Sequence, residues 1–240
     1  MIHEENLGAD HLEVATIVFV LGSCAAKEGR AVEAEGLYRR ALKSREGSLG
    51  ADHVDVAHAL YGLGRCAYET ESWKSAGRLY SKALAIYEKA LGPDHAQVAY
   101  VLHALGKSFL EAGRLEKAEA MFSRELTIVE KENGTSHPST ARVLDYLGQC
   151  AFELGRMADA EEMYRLVLAI WEERLGANHL KVVAALHSLG LCVFKGGRRE
   201  EAKLLYSRAL SIGNEILGSD HPDLAFTLRG LKKCGEKDTL

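Results

Sequence analysis

Apolar residues recur along the chain in two kinds of segment that alternate, and each kind has its own signature. The first contains a leucine followed by a glycine, as at Leu63-Gly64, and the second an alanine with an aromatic residue four positions later, as at Ala76 and Tyr80. Positions four apart lie on one face of an α-helix, so both kinds of segment are predicted to be helices with one packed face. The glycine leaves room for a neighbouring backbone to approach. The Leu-Gly pairs begin at Leu21, Leu63, Leu105, Leu147 and Leu189, the alanines are Ala34, Ala76, Ala118, Ala160 and Ala202, and the aromatic residues are Tyr38, Tyr80, Phe122, Tyr164 and Tyr206.

Both signatures return every 42 residues, and so does a histidine, at His11, His53, His95, His137, His179 and His221. Self-similarity at a fixed period is typical of stacked repeats. We predict an all-α solenoid of antiparallel helix hairpins, with about five and a half repeats and about eleven helices. The predicted units are residues 8–49, 50–91, 92–133, 134–175 and 176–217, with a capping helix over about 221–234, in a single array over 1–240.

The ends of the predicted helices recur with the same period. The residue before each periodic histidine is Asp, Ser or Asn, types that cap helix N-termini, so the expected caps are Asp10, Asp52, Asp94, Ser136, Asn178 and Asp220. Capping boxes are expected at Glu13 and Gln97, and Pro138 and Pro222 suit first turns. First helices of about 16 residues should stop at Gly29, Gly113, Gly155 and Gly197, with Glu71 in the glycine position of the second repeat. Second helices should start near Ala31, Trp73, Leu115, Met157 and Arg199. They should end at a second set of Leu-Gly pairs that lie between the repeats, such as Leu49-Gly50 and Leu91-Gly92.

The first residues align with the end of a helix rather than with its beginning. Residues 2–7 match 86–91 by period, which are the last turns of a second helix. We therefore expect the chain to open in the middle of an element and to be the C-terminal part of a longer array.

Composition and charge argue against nucleic acid and membranes as partners. A net charge of -4 argues against a generally basic surface that coats nucleic acid. No apolar run approaches the ~20 residues that span a bilayer, and the N-terminus lacks the basic and apolar regions of a signal peptide. We expect a soluble, cytoplasmic protein with no membrane partner.

The cysteines and histidines are spaced for structure rather than for metal binding. The cysteines occupy the same position in different repeats, and we call such a set of equivalent positions a row. Neighbouring members of a row should have Cα atoms roughly 10 Å apart, beyond the ~7 Å that a disulfide spans. We expect all of them to be small buried side chains in a reducing compartment. The periodic histidines are spread along one edge, and His103, Asp145 and His187 are spaced like the cysteines, so no metal site and no cofactor are expected. The cysteines are Cys24, Cys66, Cys150, Cys192 and Cys234.

Signatures of catalysis are lacking. The glycines Gly62 and Gly64 lie inside a predicted helix and cannot form the phosphate loop of a dinucleotide site. No serine stands in a convincing arrangement with His and Asp, and acidic pairs such as Glu161-Glu162 recur on exposed helix faces. We predict that this chain is not an enzyme.

At the Leu-Gly, alanine and aromatic rows the sequence resembles the tetratricopeptide repeat. The 42-residue period with Leu-Gly-x-Asp-His between units is similar to the kinesin light chain class of these repeats. The resemblance implies a right-handed superhelix whose first helices line a concave groove for an extended peptide or a helix. Kinesin light chains carry an Asn-Asn pair before the leucine of the first helix, whereas this chain has residues such as Tyr61-Gly62 and His103-Ala104 there.

Transferring the groove-facing rows of that family gives a set of candidate binding residues. Their rows vary between repeats while the packing rows stay fixed, which favours recognition of a specific partner. Arginine, lysine and tyrosine among them would suit an acidic segment with an apolar anchor, although Glu69, Glu111 and Glu153 follow one turn later. The candidates are Thr16, Phe19, His58, Tyr61, Arg65, Tyr100, His103, Lys107, Arg142, Asp145, Tyr146, Gln149, His187 and Leu191.

Three functions fit these observations. The first is a protein-interaction scaffold, a monomer that binds a peptide or helix in the groove. The second is the recognition domain of a larger nucleotide-binding receptor or switch protein. The third is a module for self-assembly, in which repeats of two chains pair.

Overall fold

The computed structural model describes residues 11–219 and 221–235, and these form helices joined by short turns without any strand. The expected caps Asp10 and Asp220 and the expected helix end over 2–7 lie outside the described residues. The first helices of successive repeats are α1 (Leu12–Lys27), α3 (Val54–Glu69), α5 (Ala96–Glu111), α7 (Pro138–Glu153) and α9 (Leu180–Lys195). The second helices are α2 (Ala31–Leu49), α4 (Trp73–Leu91), α6 (Leu115–Asn133), α8 (Met157–Leu175) and α10 (Arg199–Leu217). A 3₁₀ turn, Pro222–Leu224, and α11 (Ala225–Gly235) follow.

Contacts between Cα atoms divide the chain into two compact units, Met1–Ile128 and Val129–Leu240. In unit 1, α1 packs on α2 and α3 on α4, and each second helix also packs on the next first helix. Unit 2 repeats this pattern with α7 on α8 and α9 on α10, and α11 packs on α10. The predicted helical hairpins are confirmed, whereas a single array over 1–240 stays a prediction.

The N-terminal caps of the first helices are the periodic histidines, so the prediction of the preceding residue is wrong. His53 Nδ1 accepts a hydrogen bond from the backbone N–H of Asp55 at 3.1 Å, and His95 Nδ1 accepts one from Gln97 at 3.1 Å. Nδ1 is bonded to Cγ, as the carboxylate oxygen of Asp is, and therefore reaches the same N–H group. The expected capping boxes at Glu13 and Gln97 fail because they were counted from the wrong residue. The predicted caps that the structure replaces are Asp52, Asp94, Ser136 and Asn178.

The turns inside the hairpins follow the prediction. Gly113 has φ of 68° and Gly155 has φ of 78°, and Glu71 takes the same left-handed conformation at 55°. Because a side chain makes this region unfavourable, glycine is the expected residue and Glu71 is an exception. Pro138 occupies the first turn of α7, where its missing N–H costs nothing.

Rings of the second helices fill the space beside the first-helix glycines. A Cβ added to Gly64 would lie 2.6 Å from Cε1 of Tyr80, and one added to Gly106 would lie 2.7 Å from Cε1 of Phe122. The approaching group is therefore an aromatic side chain, not the neighbouring backbone that the sequence suggested. Tyr38 contacts glycines of two successive first helices, Gly22 and Gly62.

The cysteine row and the last helix differ in detail from expectation. Cys66, Cys150, Cys192 and Cys234 are buried as expected, but Cys24 is exposed. Burial raises the pKa of the Cys192 thiol to about 11, which keeps it protonated. The capping helix expected over 221–234 begins instead as a 3₁₀ turn, and α11 starts three residues later.

Replacing Gly64 by alanine should destabilise the protein, because the new Cβ would overlap the ring of Tyr80. Overpacking costs about 1–3 kcal/mol, and the gain in helix propensity returns about 1 kcal/mol. Gly36 lies exposed in α2 with nothing within 4 Å of an added Cβ, so Gly36→Ala is the matched control and should stabilise. We expect the urea midpoint of Gly64→Ala to fall and that of Gly36→Ala to rise; equal shifts would contradict the packing described.

Replacing His95 by alanine should lower stability by about 0.5–2 kcal/mol, because the N–H of Gln97 loses its acceptor. His95→Asp keeps an oxygen at an equivalent distance from the backbone and should retain most of the stability. Urea unfolding followed by circular dichroism measures both. A His95→Asp variant as unstable as His95→Ala would show that the ring contributes by packing and not as a cap.

Candidate binding surfaces on the first helices

In unit 1 the predicted groove residues lie on one face of each first helix. We name this set the unit 1 surface: Thr16 and Phe19 on α1, His58, Tyr61 and Arg65 on α3, and Tyr100, His103 and Lys107 on α5. Thr16 and Tyr100 are exposed and the others are half-buried, so each retains some contact with solvent. Tyr100 is the largest apolar feature of the surface, with 64% of the residue exposed.

Phe19 is held in an aromatic and cationic stack. Its ring centroid lies 5.4 Å from that of Tyr38 and 6.4 Å from that of His58, and the guanidinium of Arg45 lies 4.4 Å from the ring centroid. Arg45 is buried and donates from Nη1 to the backbone oxygen of Asp55 at 2.8 Å. Burial lowers the pKa of Arg45. Sequence reasoning missed this arginine, although its row otherwise holds Tyr87, Val129, Trp171 and Gly213.

Each of the two cations of the unit 1 surface contacts another side chain of the same unit. Arg65 lies 3.6 Å from Glu69 one turn later, and the Nζ of Lys107 lies 4.9 Å from the ring centroid of Tyr68. Tyr61 packs on Tyr80 with a centroid distance of 5.3 Å, and burial raises the pKa of Tyr61. An exposed pair such as Arg65 with Glu69 contributes little stability. Arg65 is therefore not strongly held by Glu69.

Glu125 interrupts a row of small apolar residues and is 1% exposed. A buried carboxylate needs a charged or hydrogen-bonding partner, and the structure places His103 beside it. His103 Nδ1 lies 3.0 Å from Oε2 of Glu125, and its ring lies 5.9 Å from that of Phe122. His103 is thus partly committed to an internal contact.

In unit 2 the predicted residues are Arg142, Asp145, Tyr146 and Gln149 on α7 with His187 and Leu191 on α9; we name them the unit 2 surface. Arg142, Asp145 and Gln149 are exposed. Desolvation raises the pKa of Asp145, with Lys181 acting in the opposite direction. Tyr146 and Leu191 are half-buried, so they present only part of their side chains to a ligand.

His187 lies at the edge of a cavity of about 340 Å³ that Leu180, Phe226 and Thr227 also line. Its Nδ1 is 3.1 Å from Oγ1 of Thr227, and its ring is 5.6 Å from that of Tyr206. Burial lowers the pKa of His187. Among the described residues no group of three or more His, Cys, Asp or Glu is arranged to hold a metal ion.

The structure also contains a cavity formed mainly by second helices, which sequence reasoning did not predict. On the second-helix side of unit 1, Trp73, Arg78, Phe109 and Arg114 help to line a cavity of about 540 Å³. The cations of this cavity are not adjacent in the sequence, and each one looks like an ordinary exposed charge on a helix, so sequence reasoning did not group them. The sequence did contain one sign of this cavity. Gly77 occupies the repeat position that holds a charged residue in the other repeats, namely Glu35, Glu119, Glu161 and Lys203.

Hairpins that repeat every 42 residues, with a fixed aromatic core and varied outer rows, define a helical-repeat scaffold. The family profile described as Tetratricopeptide repeat matches residues 13–89, 55–131, 108–172 and 139–215. The chain therefore belongs to the tetratricopeptide repeat family. Of the helices in the described part of the chain, none is both long and apolar enough to cross a membrane.

Solved structures with the same fold include proteins of the kinesin light chain type, as the resemblance predicted. The nearly identical TPR-like repeats of a Podosopora anserina protein assigned as a kinesin light chain match with a TM-score of 0.76 at 21% identity, over 86% of this chain and 98% of that one. BtubC (BKLC) from P. vanneervenii matches with a TM-score of 0.74 at 22% identity, over 88% and 84%. YrrB, described as a TPR protein with an unusual peptide-binding site, matches with a TM-score of 0.63 at 17% identity, over 90% of each chain. No curated protein sequence matches this chain.

Stability should fall in mild acid through His187. Its pKa is lower in the folded protein than the ordinary 6.5, so the unfolded chain binds the proton more readily. The contribution of neutral His187 is complete above 6.5 and is lost as the pH falls toward the folded pKa. We expect His187→Asn to lose less unfolding free energy than the parent between pH of about 7 and about 5. Urea unfolding at both pH values measures this, and identical losses would contradict it.

Proposed function

We propose that this protein is an interaction scaffold whose first-helix surfaces bind a peptide or a helix of a partner protein. The observation that carries the proposal is the contrast between rows within each repeat. The packing rows keep glycine, alanine and an aromatic residue in place, while the outward rows change from His58 to Tyr100 and from Tyr61 to His103. Rows whose residue type changes between repeats while the packing rows stay fixed are available for recognition.

The chemistry of the unit 1 surface favours an acidic segment with an apolar anchor. Tyr100 offers an exposed aromatic face, Lys107 lies about two turns later on α5, and Arg65 holds the equivalent position on α3. Tyrosine and arginine supply much of the binding energy in protein interfaces, and guanidinium groups bind carboxylates with two hydrogen bonds. The peptide-binding site printed for YrrB supports a binding role on this fold without identifying a partner.

The proposal assigns binding and no catalysis to this chain, which we expect to act as a monomer. The cytoplasm is the proposed location, because the five cysteines, all within the described residues, form no disulfide, which suits a reducing compartment. Self-assembly and service as the recognition domain of a larger receptor remain alternatives. Mass measured over a range of concentrations separates self-assembly from peptide binding.

Charge reversal on the first helices should abolish recognition. The variant Arg65→Glu, Lys107→Glu, Arg142→Glu changes two residues of the unit 1 surface and one of the unit 2 surface. An unbiased peptide-display selection should enrich an acidic motif on the parent, and we expect that motif to bind the variant at least about tenfold more weakly. Circular dichroism of both proteins should show the same helix content.

The matched control reverses charges on second helices. Lys43 on α2 and Lys203 on α10 are exposed, so Lys43→Glu, Lys203→Glu changes the net charge in the same direction without touching a first helix. It should bind the selected peptides within about twofold of the parent. Equal weakening in both variants, or no enriched motif on the parent, would sink the assignment of binding to the first helices.

A further inference from the structure

The second-helix side of unit 1 contains a cavity that the proposed function does not use. It measures about 540 Å³ and lies where α4, the end of α5 and the start of α6 meet. Along α5, Phe109 is two residues beyond Lys107, which turns it roughly 200° away from the unit 1 surface. A ligand in this cavity would therefore contact a different face of the unit.

The lining of the cavity combines an apolar floor with positive charge. Trp73 and Phe109 supply the floor, both half-buried. Five of the lining residues are lysine or arginine and none is acidic, in a chain whose net charge is -4. In the part of the chain that the structure describes, no carboxylate lies within ion-pair distance of any of the five; Arg78 donates only to Oγ of Ser75, at 3.2 Å. The five cations are Lys74, Arg78, Lys82, Arg114 and Lys117.

The same place in unit 2 shows what normally occupies such a site. Two periods after Arg114 stands Arg198, which pairs with Glu161 and lies 3.1 Å from Glu201. Glu161 also lies 2.6 Å from Arg165. Two carboxylates of the chain itself thus neutralise the arginines of that site.

In unit 1 both of these carboxylates are missing. The position of Glu161 is taken by Gly77, and the position of Glu201 by Lys117. Arg114 is the equivalent of Arg198, but the two positions that hold its carboxylate partners in unit 2 are here a glycine and a second cation. At the preceding site of unit 1, Glu35 lies 2.6 Å from Arg39 and Ser75 stands in the place of Glu201, so the loss of both carboxylates is specific to this site among the three compared.

We propose that this cavity is a second binding site, which takes an acidic segment of a partner protein with carboxylates on either side of an apolar side chain. The carboxylates fill the two places that Glu161 and Glu201 occupy in unit 2 and pair with Arg114 and Lys117. The apolar side chain rests on Trp73 and Phe109. A volume of about 540 Å³ is within the range of ligand pockets.

Gly77 offers a matched pair of variants. An added Cβ would lie 3.7 Å from Phe109, an ordinary contact, so both Gly77→Glu and Gly77→Ala should fold. Gly77→Glu restores the internal carboxylate and blocks the site, whereas Gly77→Ala adds only the Cβ. The probe is a fluorescein-labelled peptide Glu-Glu-Leu-Glu-Glu, with Gln replacing every Glu in a neutral control, measured by fluorescence anisotropy.

We expect the acidic probe to bind the parent and Gly77→Ala within about twofold of each other, and Gly77→Glu at least about tenfold more weakly. Lys117→Glu should weaken binding in the same direction, and the neutral probe should not bind. Arg65→Glu, Lys107→Glu should bind the probe as the parent does, since these residues belong to the unit 1 surface. Binding of the probe to this variant separates the two proposals. If the first-helix surface does not bind peptides, the expected binding in the cavity is still the same.

Other outcomes overturn the assignment. Equal affinity of Gly77→Glu and the parent, or loss of binding in Arg65→Glu, Lys107→Glu, places the peptide elsewhere. Binding only by a phosphoserine version of the probe replaces carboxylates by phosphate as the recognised group. Concentration-dependent mass that Gly77→Glu abolishes, without probe binding, makes a second copy of this chain the occupant.

Discussion

The structure depends on the insertion of second-helix rings beside the glycines of first helices. Tyr38 contacts Gly22 of its own hairpin and Gly62 of the next one, and near the other end Tyr206 contacts Gly190 and Gly230 in the same way. One buried ring therefore both closes a hairpin and joins it to its successor. Since each first helix gives this face to packing, its other face carries no such constraint, and the rows proposed for binding can differ from repeat to repeat.

The sequence predicted the parts of the fold that depend on local and periodic signals. Helix ends at Gly113 and Gly155 follow from the left-handed backbone that glycine favours, and the hairpins follow from the spacing of Ala76 and Tyr80. The N-terminal caps were assigned to the wrong residue because Asp52 and His53 can both offer an acceptor atom bonded to Cγ. The choice between them is made by the backbone conformation, which composition does not reveal.

For the binding surfaces, spacing predicted which row a residue occupies but not what it contacts there. His103 and His187 occupy the predicted row, yet each ring meets a partner more than twenty positions away, Glu125 and Thr227. Arg45 and the cavity around Arg114 were missed for the same reason, since their environments are made by residues of other helices. Comparing equivalent positions within the chain recovers part of this information, as the row of Gly77 illustrates.

Neutralising acids can be lost from one site without loss of the fold. Exposed ion pairs contribute only about 0–1 kcal/mol each, whereas each fully buried large apolar side chain contributes about 1.5–3 kcal/mol. A repeat with Gly77 and Lys117 in place of two glutamates therefore keeps its packing, and its cations contact only a hydroxyl, at Ser75, and an aromatic ring, at Phe109, with no internal carboxylate among the described residues. In a stacked-repeat protein, binding sites can arise on either helix of the hairpin, wherever charge is left uncompensated beside an apolar floor. The two surfaces of unit 1 differ in this respect: Arg65 retains a carboxylate neighbour in Glu69, and the cations beside Trp73 and Phe109 do not.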